Sequence, residues 1–167
     1  WVFKLRKNAK WSNGAPVTAA DFVYSWQRTV NPKTGSKYTI LHEFIVNAKD
    51  IIAGKKAPSA LGVRAIDPYT LEVKTTDVVP FFPQLAAMGN MVPLNKAAVE
   101  KNGKDWVKPG RMVSNGAYQM AEWVPNNRVV LVKNPNYWNA KTVVISKVNY
   151  DPTESDDTVL KMYKAGT

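Results

Sequence analysis

The chain has 167 residues, 45% of them hydrophobic, with a formal net charge of +10 and no cysteine. That length supports one cored domain on the usual scale of roughly 100 to 200 residues per domain. The absence of cysteine excludes disulfides, thiolate catalysis and cysteine metal sites. Basic residues are scattered as short pairs such as Lys55-Lys56, with no Lys or Arg stripe among exposed aromatics, so they read as a solvated face and argue against nucleic acid. No apolar run reaches the roughly 20 residues that span a bilayer.

From the start, Trp1, Phe3 and Leu5 alternate with Val2, Lys4 and Arg6, the period of a half-buried strand. Ser12-Asn13-Gly14 supplies residues that tolerate positive φ, so the chain reverses there. Thr18, three residues before Asp21, resembles a capping box, and Phe22, Val23, Trp26 and Val30 follow at helical spacing. This predicts a helix of about three turns, stopped at Asn31-Pro32. Residues 33–38 are polar and form a loop, with Tyr38 as its one large apolar group. His42 to Gly54 reads as a helix with Phe44, Ile45, Ala48, Ile51 and Ile52 on one side.

Residues 55–59 are a surface connection, and Val63 to Thr76 is a hairpin around Asp67-Pro68-Tyr69. Pro80 and Pro83 break the apolar stretch from Val79 to Met88 into a short helix or a pair of turns. Asn95 to Lys101 predicts another short helix closed by Asn102-Gly103, and residues 104–111 read as irregular. Ala117 to Trp123 and Arg128 to Lys133 form a second hairpin across Pro125-Asn126-Asn127, and Val143 to Tyr150 is a strand. Asp156 to Ala165 is a helix with acidic residues at its positive end, Lys164 near its negative end and Gly166 as stop. Hairpins dominate and helices intervene without strict alternation, which is an α+β pattern.

Two of these stretches carry a resemblance. F-x-L-R-x-x-x-x-W-S-N-G-x-P-V-T-A-x-D-F-V-Y-S-W, residues 3–26, resembles the signature region of the extracytoplasmic solute-binding proteins that serve peptide and nickel importers, most of all their oligopeptide-binding members. Ser114 to Tyr118, Trp123, Arg128 to Val132 and Asn134-Pro135-Asn136-Tyr137-Trp138 resemble a second block of that family. Asn8 stands where many members are acidic, and Ala117 where many have proline. The similarity extends over essentially all 167 residues.

The resemblance implies a two-lobed periplasmic binding protein fold about three times this length. On that reading the chain is part of lobe I, with residues 1–95 a partial accessory subdomain, residues 96–167 part of the main subdomain, and the second lobe absent. It also implies a monomeric receptor outside the cytoplasmic membrane, in the periplasm, that closes on an extended oligopeptide and hands it to the membrane permease of an ABC transporter. An acidic group of the other lobe would hold the peptide amine. No cofactor is implied. A dipeptide, murein-peptide, nickel or haem receptor of the same family would share these motifs, and an excised basic structural or adhesion domain is the alternative of a different class.

The residues themselves offer little to catalysis. His42 is the only histidine, beside Glu43 but without a cysteine or a G-x-S-x-G, so it reads as a helix-end or surface side chain. Glu154, Asp156 and Asp157 lack the spacing of a calcium loop and read as helix-capping groups. Trp11, Trp26, Trp123 and Trp138 fall on apolar faces or in the family's framework blocks and read as structural. Tyr38 is different: neither period demands a large apolar residue in its loop, and in proteins similar to this one the matching tyrosine faces the peptide. It is the candidate ligand-binding residue.

Overall fold

A computed structural model describes residues 1–153 and 155–166. Glu154, one of the candidate carboxylates, lies outside them. The observed elements are α+β: two three-stranded antiparallel sheets with helices packed chiefly on the first.

The first sheet holds β1 (Val2–Lys4), β2 (Val63–Asp67) and β3 (Thr70–Val73) in the order β1-β3-β2. The hairpin turn carries an Asx contact, the Tyr69 N–H donating to Asp67 Oδ1 at 2.8 Å. β1 pairs with β3 through Val2–Glu72, Phe3–Leu71 and Lys4–Thr70, so the opening segment joins a hairpin some 70 residues on.

Helix α1 (Ala19–Val30) crosses this sheet. At its start the Asp21 carboxylate accepts from the Thr18 N–H at 2.7 Å and the Thr18 hydroxyl at 3.1 Å, which satisfies a backbone donor at the first turn. Trp26 and Val30 on its inner face join Ile45, Ala48, Ile51, Leu71, Val73, Phe82 and Met91 in the main core. Three further helices follow: α2 (Ala48–Ile52), α3 (Phe82–Ala86) and α4 (Lys96–Asn102). Asn95 caps α4 by accepting from the Ala98 N–H at 2.9 Å.

The second sheet is β4 (Tyr118–Val124), β5 (Arg128–Lys133) and β6 (Lys147–Tyr150), in that order. Helix α5 (Asp156–Ala165) follows, with Ser155 as its cap. A seam joins the two halves: the Ser12 N–H donates to the Ser114 carbonyl at 2.7 Å, and Asn136 Nδ2 to the Ser12 carbonyl at 2.9 Å.

Four expectations need correction. The helix predicted over 42–54 is broken: Thr39–His42 is a 3-10 turn, Ile45 bridges to Thr75, and Asn47 at φ 67° precedes the short α2. Pairing of Val46 with Lys74 and Gly62 overrides the helical spacing, because those backbone bonds draw the segment onto the sheet. Residues 103–107 are a 3-10 turn, where an irregular stretch is predicted. The strand predicted over 143–150 shrinks to Lys147–Tyr150, since Ala140–Thr142 forms a 3-10 turn and Lys133 Nζ takes the Val143 carbonyl. Trp11 and Trp26 are buried as expected, but Trp123 and Trp138 are 45% and 39% exposed, Trp123 because the second sheet has little packed on it.

Candidate functional site

Tyr38 stands on a loop whose geometry follows from its sequence. α1 ends at Asn31, whose side chain accepts from the Lys33 N–H at 3.0 Å, and Pro32–Thr34 forms a 3-10 turn. Gly35, at φ 66°, then reverses the chain in a conformation that glycine adopts freely. Tyr38 follows, its N–H directed at Ser36 Oγ at 3.4 Å, and it leads directly into the next 3-10 turn, Thr39–His42.

That short turn sorts its side chains by side. Tyr38 is 61% and Ile40 64% exposed, whereas His42 is fully buried. The His42 ring meets Trp26 edge to face at 5.9 Å and 84°. Trp26 is itself fixed: its indole N–H donates to the Met91 carbonyl at 2.8 Å, and its ring packs edge-on to Phe82 at 6.4 Å. The exposed tyrosine therefore rides on a turn anchored from beneath by a packed aromatic stack. Such a side chain offers an aromatic face and a hydroxyl at low ordering cost, which suits it to contact a ligand.

His42 is placed differently from its sequence reading. It ends a 3-10 turn, but it is buried, with neither ring nitrogen given a hydrogen-bond partner by the protein. Burial alone pushes its pKa down from 6.5 to about 4, so the ring is neutral at pH 7. Neither of its ring nitrogens is hydrogen-bonded to an acid, base or nucleophile among the described residues, as a catalytic pair would require. Asp156 and Asp157 occupy the first turn of α5, where they complement the helix dipole. Among the described residues, no three His, Asp or Glu side chains gather as metal ligands.

Concavities lie elsewhere on the surface. An apolar one of about 260 Å³ is walled by Phe3, Leu5, Phe22, Trp26, Leu71 and Pro83, and a polar one of about 250 Å³ involves Asn13, Asn95, Lys101 and Arg111. Neither includes Tyr38, whose loop presents an open surface. Sequence spacing could not have signalled Ile40 as its exposed neighbour, since Ile40 falls just before a stretch that reads as a helix.

Residues 1–167 match the family described as bacterial extracellular solute-binding proteins, family 5, middle. The chain belongs to that family. Among these solute-binding proteins, the periplasmic oligopeptide-binding protein OppA of Escherichia coli K12 is 48% identical over 99% of the chain and 31% of its own length. The periplasmic murein peptide-binding protein MppA of the same strain is 45% identical over the same shares. A solved structure of OppA from Burkholderia pseudomallei superposes with a TM-score of 0.97 at 61% identity, covering 99% of the chain and 33% of that protein. The chain thus spans about a third of the length of the relatives it matches, and its fold is part of one lobe of a periplasmic binding protein.

Proposed function

We propose that the chain is part of the first lobe of a peptide receptor for an ABC importer, working outside the cytoplasmic membrane and capturing oligopeptides between two lobes. One observation carries this reading: similarity to an oligopeptide-binding protein runs through 99% of the chain at 48% identity. Tyr38 supports it as the ligand contact, since the fold spends a buried aromatic anchor on a turn that leaves the tyrosine in the open. Peptide capture would combine lobe closure with β-type hydrogen bonds to the ligand main chain, which tolerate varied side chains. The mechanism is binding and release without bond making, and it asks for no cofactor.

Residues 1–95 are proposed as the accessory subdomain and 96–167 as part of the main one. The grouped core supports that division, its fully buried members all falling between Ala19 and Met91. The receptor would act as a monomer and deliver peptide to the membrane permease.

The murein-peptide relative, at 45% identity, keeps a second ligand class in view. Mass spectrometry of what co-purifies with the whole receptor separates them: a mixture of ordinary peptides is the expected result. Peptides rich in murein amino acids would replace oligopeptide by murein peptide as the ligand, and turnover of a peptide substrate would overturn the receptor reading.

A further inference from the structure

We propose that His42 is an acid-responsive latch beneath the Tyr38 loop, whose protonation opens the Thr39–His42 turn and loosens the receptor's hold on ligand. The proposal rests on the reading of Tyr38 as a ligand contact.

The geometry makes the ring a conditional anchor. His42 is fully buried, edge-on to Trp26, and the protein gives neither nitrogen a partner. A neutral imidazole can sit there as an aromatic plug. An imidazolium is disfavoured there, because both nitrogens then carry protons and the charge needs water or an anion. The surroundings supply no counter-charge. α1, packed on this turn, carries Asp21, Tyr24 and Arg28, and the segment that follows the turn carries Glu43 and Lys49, whose charged groups sit 3.9 Å apart at the surface. None of them contributes to the shift at His42, whose only cause is burial. The 3-10 segment Gly89–Met91 and α3, which meet Trp26, bring no titratable group.

The cheapest route to hydration is to lift the turn itself. It is one 3-10 turn, closed by the Glu43 N–H to the Ile40 carbonyl at 3.2 Å, and Tyr38 is the residue that leads directly into it, with no side-chain capping bond to hold it. Releasing His42 to solvent therefore displaces Tyr38. With a pKa of 6.5 in the open turn and about 4 in the closed one, lowering the pH from 7.5 to 5 favours opening by about thirty-fold.

Hydrogen exchange followed by mass spectrometry on the whole receptor tests the latch. After correction for intrinsic rates, residues 39–45 should lose protection by about thirty-fold between pH 7.5 and 5, while β3 keeps its own. His42→Leu, which fills the pocket without titrating, should abolish that dependence. Equal pH responses in residues 39–45 and β3, or an unchanged response in His42→Leu, would overturn the proposal. Should the leucine variant not fold, the wild-type comparison of the two segments decides alone. Calorimetry with tri-alanine adds the functional arm: the wild type should weaken at pH 5 and His42→Leu should not. Wild-type affinity equal at both pH values overturns the coupling to ligand. Absence of binding at pH 7.5 overturns the peptide reading instead, and the exchange result still decides the latch.

Discussion

The Arg6 guanidinium lies over the Trp138 ring, 3.8 Å from its centre. The first residue follows β1 and the second follows β5, so this contact ties the two sheets together alongside the Ser12 and Asn136 hydrogen bonds. It also explains why a half-exposed tryptophan sits at position 138: its face serves a cation. Arg6→Ala should cost about 0.5 to 2 kcal/mol. A double-mutant cycle with Trp138→Ala, read by urea unfolding, should show the two losses to be coupled, and additive losses would refute the contact's role.

Trp26 is the keystone of the main core, buried and bonded to the Met91 carbonyl. Trp26→Ala should destabilise by roughly 3 to 5 kcal/mol. Trp26→Phe should retain most packing but leave that buried carbonyl unpaired, at a cost of about 1 to 3 kcal/mol. Denaturant midpoints at constant slope report both.

Gly62 is held where two backbones cross. A Cβ there would stand 2.9 Å from Val46 Cβ and 3.0 Å from the Lys74 carbonyl oxygen, while the Gly62 N–H donates to the Val46 carbonyl and the Gly62 carbonyl accepts from the Lys74 N–H. Gly62→Ala should therefore destabilise by about 1 to 3 kcal/mol through overpacking. A melting temperature at or above the wild-type value would show that the strand connection yields without cost.

Tyr38 is too exposed to support the fold. In the whole receptor, Tyr38→Ala should raise the peptide dissociation constant by roughly ten-fold or more while leaving the melting temperature of the empty protein in place. Calorimetry and thermal unfolding of the same preparation separate the two effects, and an unaltered affinity would remove Tyr38 from the site.

The pH dependence at His42 has a definite sign. Its folded pKa is depressed, so its full contribution is present above pH 6.5 and is lost as pH falls toward 4. Over that window the wild type should lose up to about 3 kcal/mol relative to His42→Leu, as measured by chemical denaturation at each pH. Parallel stability profiles would contradict the burial of this ring.

Much of the fold is legible in the sequence where local chemistry suffices. Thr18 and Asp21 announce α1, Asp67-Pro68-Tyr69 turns the first hairpin, Pro125-Asn126-Asn127 turns the second, and Asn95 with Gly103 brackets α4. In each case the signal and the structure lie within a few residues of each other. The exposure of Tyr38 is legible in the same way, as a large side chain stranded in a polar loop, while its contact with ligand stands as a proposal.

The remaining features depend on contacts made at long range along the chain. The spacing of Phe44, Ile45, Ala48 and Ile51 suits a helix, yet pairing of Ile45 and Val46 with residues 74–75 and Gly62 breaks it, because backbone groups drawn into the core must find partners there. The exposure of Trp123 follows from what packs on the second sheet, a fact absent from its own strand. His42 shows the difference most clearly. The sequence marks one histidine near the end of a helical stretch, and only the folded chain sets α1 and Trp26 over it, turning a surface base into a buried neutral ring. Periodicity encodes which face of an element is apolar, whereas the identity of the group that covers that face depends on residues far away in the chain.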